Sequence, residues 1–115
     1  YDAPSLFAGK IHAVLCRAWK NRIKGRDLYD YMFHLSMNAP VNLKHLEARL
    51  RQSDFLETDA PLDIGQLKEL LYARFATIDY DQAKQDVQPF IKDLNNLIVW
   101  SQDFFDQITQ NLRGV

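Results

Sequence analysis

The sequence contains a single cysteine, Cys16, and only four glycines and four prolines. One cysteine cannot form a disulfide within the chain, which is typical of proteins from reducing compartments. So few glycines and prolines exclude a flexible linker, a collagen-like repeat or a disordered tract. No apolar run approaches the roughly 20 residues that span a bilayer, and no secretory signal is visible. These absences predict a soluble, cytoplasmic domain without a membrane partner.

Several common catalytic motifs are missing as well. The sequence has no Gly-rich phosphate loop, no Cys-x-x-Cys pair and no Gly-x-Ser-x-Gly elbow. What remains is an ordinary globular composition of 115 residues, 47% hydrophobic and 25% charged, which is enough for one domain with its own core. The chain opens at Tyr1 without a methionine, and a helical pattern starts within a few residues. We therefore expect residues 1–115 to be a single helical domain cut from a longer protein, although a processed or trimmed terminus would look the same.

The first third of the sequence predicts two helices. Pro4 favours the start of a first helix that runs to about residue 20. The apolar face of this helix would consist of Phe7, Ile11, Val14, Leu15 and Ala18. Gly25 is predicted to separate it from a second helix that extends from about Arg26 to Met37.

Capping residues mark the starts of the next two helices. Asn42 is a favourable N-cap for a third helix, and Asp63 is one for a fourth. The apolar positions are Leu43, Leu46 and Leu50 in the third helix, and Ile64, Leu67, Leu71, Phe75 and Ile78 in the fourth. The stretch between them, residues 52–63, is predicted to be a loop.

The C-terminal third predicts a short helix and a long one. Residues 79–93, DYDQAKQDVQPFIKD, indicate a short helix that Pro89 interrupts. A last helix is predicted from about Leu94 to Leu112. No window alternates at period two for long enough to indicate a strand. The predicted fold class is all-α, a compact bundle of about five or six helices.

The net charge of −1 conceals an uneven distribution of charge. Residues 10–26 contain six basic residues and no acid, whereas eight basic and fourteen acidic residues follow from residue 27 onward. The six basic residues are Lys10, Arg17, Lys20, Arg22, Lys24 and Arg26. Such a concentration of positive charge can meet an anion, for example a phosphate. The alternative is that it is only a solvated basic helix end.

Acidic residues follow at once, on a segment that otherwise resembles core. Asp27, Asp30 and His34 lie at positions i, i+3 and i+7, so they form one narrow polar stripe on the second helix. Buried carboxylates need partners. One interpretation is therefore structural: Lys10 or Arg17 of the first helix neutralises Asp27 or Asp30 in a salt bridge.

The functional interpretation is that the same charges form one wall of a phosphate-binding cleft. Lys and Arg stabilise phosphate oxygens, Arg in bidentate fashion, while a nearby carboxylate orients them. A third interpretation has Asp27, Asp30 and His34 bind a metal. Because their spacing is not that of a dedicated ligand set, the sequence predicts no metal site.

Residues 6–35, LFAGKIHAVLCRAWKNRIKGRDLYDYMFHL, resemble the C-terminal half of the AbiEii/AbiGii family of abortive-infection toxins, which are nucleotidyltransferases. The family pattern is a lysine, a helix, an arginine and then an RD-hydrophobic-x-D segment. Lys10 matches the lysine and Arg17 the arginine, and Arg26, Asp27 and Asp30 match the last element. The motif K-x6-R-x8-RDLYD covers about a quarter of the chain and is moderately specific.

This resemblance implies a part in nucleotide transfer by the toxin of a bacterial toxin–antitoxin pair. It implies catalytic roles for Lys10, Asp27 and Asp30, and phosphate binding by Lys10, Arg17 and Arg26. In the family an N-terminal core carries a Gly-Ser motif and metal-binding aspartates, which this chain lacks. The chain would therefore be the helical part alone, without a cofactor and inactive in isolation, while the parent protein would use a nucleoside triphosphate and Mg²⁺.

The resemblance also implies partners, namely the N-terminal nucleotidyltransferase domain of the parent chain, an antitoxin and an RNA or protein acceptor. A hypothesis from a different class remains open. In it, the chain is a free-standing helical interaction module whose basic segment binds RNA or an acidic partner protein.

Overall fold

The computed structural model describes residues 2–16, 24–56 and 60–115, and these ranges contain seven α-helices. In chain order the helices are α1 (Ala3–Cys16), α2 (Gly25–Ser36), α3 (Leu43–Gln52), α4 (Ile64–Phe75), α5 (Tyr80–Val87), α6 (Asn95–Ile98) and α7 (Gln102–Thr109). The only β pairing in this described part is one isolated bridge between Val41 and Gly114. The all-α prediction is confirmed. The Cα radius of gyration, 13.6 Å, is that of a compact domain of this length, for which about 13 Å is expected.

The predicted starts of the third and fourth helices agree closely with the structure, and each of these helices is capped by a side chain. The carboxamide of Asn42 accepts a hydrogen bond from the backbone N–H of His45, and the carboxylate of Asp63 accepts one from Gln66. The predicted interruption at Pro89 is a 3₁₀ turn, Gln88–Phe90, directly after α5. The predicted end of the first helix, near residue 20, lies outside the described residues. Among the helices described, none is both long and apolar enough to cross a bilayer.

The prediction of one last helix from Leu94 to Leu112 is wrong, because the chain turns at Trp100 and Ser101. Trp100 is buried, with its indole Nε1 3.4 Å from the sulfur of Met32. Ser101 is extended and its hydroxyl accepts a hydrogen bond from the N–H of Phe104, so that it caps a new helix. This split into α6 and α7 explains why the described ranges contain seven helices rather than five or six.

Aromatic side chains from four helices form the centre of the core. The rings of Phe7 and Tyr31 have centroids 5.9 Å apart, and Tyr31 continues to Phe75 at 5.7 Å. Phe75 contacts Phe105 at 5.3 Å. The hydroxyl of the buried Tyr31 lies 2.7 Å from that of Thr109, so the core joins α2 to α7 by a hydrogen bond as well.

A close backbone contact determines where α2 begins. A Cβ added to Gly25 would lie only 1.9 Å from the carbonyl oxygen of Ala83 in α5. Only glycine allows this approach without a backbone shift. The start of α2 is therefore packed directly against α5.

The C-terminal residues bind the connection between α2 and α3. The N–H of Val41 donates to the carbonyl of Arg113 at 2.9 Å, and the N–H of Val115 donates to the carbonyl of Val41 at 2.8 Å. The N–H of Asn42 donates to the carbonyl of Pro4 at 3.0 Å. This connection therefore joins the start of α1 to the last residues of the chain.

Candidate functional site

A groove of about 480 Å³ lies where α1, the start of α2 and α3 meet. Its lining consists of Leu6, Gly9, Lys10, Ala13, Lys24, Arg26, Asp27, Asp30 and Arg49. Four of the residues singled out in the sequence, Lys10, Arg26, Asp27 and Asp30, are thus brought together. The fifth, Arg17, lies outside the described residues.

Lys10 and Asp30 form an ion pair across the groove between α1 and α2. The ammonium Nζ donates to the carboxylate Oδ2 over 3.0 Å. The two side chains are 36% and 39% exposed, so the pair is open to the solvent of the groove. The salt bridge between Lys10 and Asp30, which the structural interpretation offered, is therefore present, but it is not buried. An ammonium has three donors, and one of them is used by Asp30.

Asp27 has a different environment from Asp30. It is only 7% exposed and lies in the first turn of α2, where the helix dipole favours a negative charge. Its backbone N–H donates to the carbonyl of Lys24 at 3.0 Å. Asp27 therefore lines the groove from a largely buried position, whereas Asp30 is partly exposed and paired with Lys10.

His34 departs from the polar stripe that its spacing predicts. Its ring stacks on Phe7, with centroids 5.3 Å apart and planes inclined by 13°. Its Nδ1–H donates to the backbone carbonyl of Asp30 at 2.9 Å. The interpretation of Asp27, Asp30 and His34 as three metal ligands is therefore wrong, because the imidazole packs on the core instead of facing the groove. No group of three or more His, Cys, Asp or Glu residues that could hold a metal occurs in the described ranges.

Arg49 is the residue of the groove that the sequence interpretation missed. It lies in α3, and its Nη1 is 3.5 Å from the place that a Cβ on Gly9 would occupy. The guanidinium group thus extends over the backbone of α1, where the small residues Gly9 and Ala13 leave room. In the sequence, Arg49 directly precedes Leu50, so it is expected at the edge of the apolar face of α3. This position does not reveal which neighbouring helix the side chain of Arg49 approaches.

The charges of the groove are unequal. Four cations, those of Lys10, Lys24, Arg26 and Arg49, face two carboxylates. Within the described part of the chain, Lys24, Arg26 and Arg49 have no carboxylate within ion-pairing distance. A site with this excess of positive charge favours an anion, and three arginine or lysine head groups are available to donate to it.

The chain matches the model of a known protein family. The family model described as "Nucleotidyl transferase AbiEii toxin, Type IV TA system" matches residues 1–110. No match was found among curated proteins or among solved structures.

Proposed function

Because the chain belongs to the AbiEii family of nucleotidyl transferase toxins, we propose that its groove binds the phosphates of a nucleoside triphosphate during nucleotide transfer. The observation that supports this proposal is the set of four cations around one groove, of which only Lys10 is paired with an acid among the described residues. The motif K-x6-R-x8-RDLYD supplies two of these cations, Lys10 and Arg26. The family assignment places the chain in a toxin–antitoxin system, whose toxin has an antitoxin partner.

The four cations would act on the phosphate oxygens. Nucleotide transfer spreads negative charge over the reacting phosphate and the leaving group, and fixed donors stabilise this charge. Arg26 and Arg49 would donate to the phosphates from two different helices of the groove, α2 and α3. Lys10 would donate as a point charge that Asp30 keeps in place. We assign Arg17 to the same phosphate-binding set on the family motif alone.

The two carboxylates would orient the cations rather than bind Mg²⁺. Asp30 is already engaged by Lys10, and the groove carries more positive than negative charge. These residues therefore do not suit a divalent cation. We propose that Mg²⁺ is held by a nucleotidyltransferase core elsewhere in the parent protein, which binds the nucleotide together with the groove and acts in the cytoplasm on an RNA or protein acceptor.

The proposal is tested by label transfer from a nucleoside triphosphate and by toxicity, both in the full-length parent protein. Lys10→Met and Arg49→Met should each lower transfer by about 10²–10³-fold, as expected for loss of a donor to developing charge. Lys44→Met is the matched control, because Lys44 is an exposed cation of α3 that does not line the groove. Residues 1–115 alone should transfer no label.

Two results would contradict the proposal. One is full transfer by the Lys10→Met and Arg49→Met proteins. The other is transfer by residues 1–115 alone that Lys10→Met abolishes, since this would mean that the helical part carries a complete active site.

A further inference from the structure

Phe90 is one of the most exposed large apolar side chains in the described structure, with 70% of its surface accessible. It ends the 3₁₀ turn Gln88–Phe90, in which Pro89 restricts the backbone. The turn follows α5, whose Ala83 carbonyl is in contact with the start of α2. The ring is therefore carried by a short, restrained segment beside the groove and not by a long loop.

The ring of Phe90 is in contact with a residue of the groove. The guanidinium carbon of Arg26 lies 5.3 Å from its ring centroid, which is the geometry of a cation–π contact. Arg26 lines the groove as well. Arg26 thus connects the positive groove to the exposed ring of Phe90. Because a guanidinium is planar, it can lie against a ring through its face while its N–H groups donate to an anion along its edge.

We propose that the ring of Phe90 stacks on the base of the nucleotide whose phosphates bind in the groove. This inference rests on the phosphate binding proposed above. A nucleoside triphosphate has a flat, apolar base at one end and a polyanion at the other, and Phe90 and the groove offer matching surfaces at adjacent places. Stacking on an aromatic ring tolerates every base, because each base has a π-face. Phe90 would therefore increase affinity for all four nucleotides, and most strongly for purines, which have the larger face.

The test measures dissociation constants of the full-length parent protein for two probes, a fluorescent ATP analogue and inorganic triphosphate. The second probe has the phosphates without a base. Phe90→Ala should weaken binding of the ATP analogue at least about fivefold, the low end of the effect of losing one stacked base. It should leave the affinity for inorganic triphosphate unchanged. Phe90→Trp should restore binding, and Phe90→Leu should behave like Phe90→Ala because leucine is apolar but has no π-face.

Ile98→Ala is the matched control for loss of an exposed apolar side chain. Ile98 is 71% exposed, belongs to the same C-terminal third and does not line the groove, so its loss should change neither dissociation constant. The stacking proposal would be overturned if either the Phe90→Ala protein or the Phe90→Leu protein bound the ATP analogue with wild-type affinity. A further contrary result is weaker binding of oligouridylate with unchanged binding of the ATP analogue, since the ring would then contact the acceptor. Absence of inorganic triphosphate binding to the wild type would overturn both this inference and the phosphate groove.

Discussion

Replacing Lys10 with methionine removes the positive charge of the groove's ion pair but keeps the apolar stem of the side chain. The Nζ of Lys10 and the Oδ2 of Asp30 are 3.0 Å apart, yet more than a third of each side chain is accessible to solvent. Exposed ion pairs with such access contribute about 0.2–1 kcal/mol, because water already stabilises both charges and ordering two long side chains costs entropy. We therefore expect Lys10→Met to lower the free energy of unfolding by less than about 1 kcal/mol.

The assay is urea unfolding of residues 1–115, followed by circular dichroism. Lys10→Met, Asp30→Asn and the double variant form a cycle that yields the coupling energy of the pair, which should also lie below about 1 kcal/mol. Leu28→Ala calibrates the measurement: Leu28 is fully buried and directly follows the groove residue Asp27 in α2, and its loss should cost about 2–5 kcal/mol.

A loss of about 3–5 kcal/mol for Lys10→Met would refute this reasoning, since that is the cost of leaving a buried charge without its partner. The pair would then be a structural bridge, and reduced toxicity of Lys10→Met in the parent protein would follow from unfolding. A small loss of stability combined with abolished transfer would instead support a role in phosphate binding.

Three further predictions concern stability. Gly25→Ala should destabilise the fold by about 1–3 kcal/mol in urea unfolding, because the new methyl group would meet the carbonyl of Ala83. Gly65→Ala is the control, because Gly65 is an exposed residue of α4 where the new methyl group would be no closer than 3.4 Å to its nearest neighbour, Oδ1 of Asp63. Tyr31→Phe should cost about 1–3 kcal/mol by leaving the Thr109 hydroxyl buried without its partner, and adding Thr109→Val should recover most of this loss. Burial raises the pKa of the Asp106 carboxyl, with a smaller contribution from Asp103. The charged form of Asp106 is therefore less stable in the folded protein than in the unfolded chain. Asp106→Asn should therefore raise the melting temperature at neutral pH, and this gain should disappear as the pH falls below 3.8, the ordinary pKa of aspartate.

The helix starts were predictable because their causes are local. Asn42 and Asp63 accept hydrogen bonds from N–H groups three residues later, an interaction that needs no other part of the chain. The break at Ser101 also depends on a local cap, but the capping residue is a serine inside a continuous apolar pattern. What favours the turn there is the burial of Trp100 against Met32, which comes from a distant part of the sequence.

The site was predictable to a similar extent. Lys10 and Asp30 lie within two helices that follow one another in the described structure, and a charge pair between these helices was one of the interpretations that the sequence offered. Arg49 enters the same groove only because α3 packs on α1 where Gly9 leaves room. A helical pattern specifies which face of α3 is buried, but it does not specify the neighbour on which that face packs. For the same reason the turn of His34 toward Phe7 could not be foreseen.

The hydrogen bonds that join the C-terminal residues to the rest of the fold affect when the groove can form during protein synthesis. All groove residues have been synthesised once Arg49 is complete, but the partners of Tyr31 and Val41, at Thr109 and Val115, have not. Another 66 residues must follow, which takes about 3–13 s at the usual rate of translation. During this time α1 to α3 lack the aromatic contacts of α4 and α7 and expose apolar core surface. A nascent chain therefore carries the groove residues without a stable groove, and the groove forms fully only after the segment that follows α7 has left the ribosome.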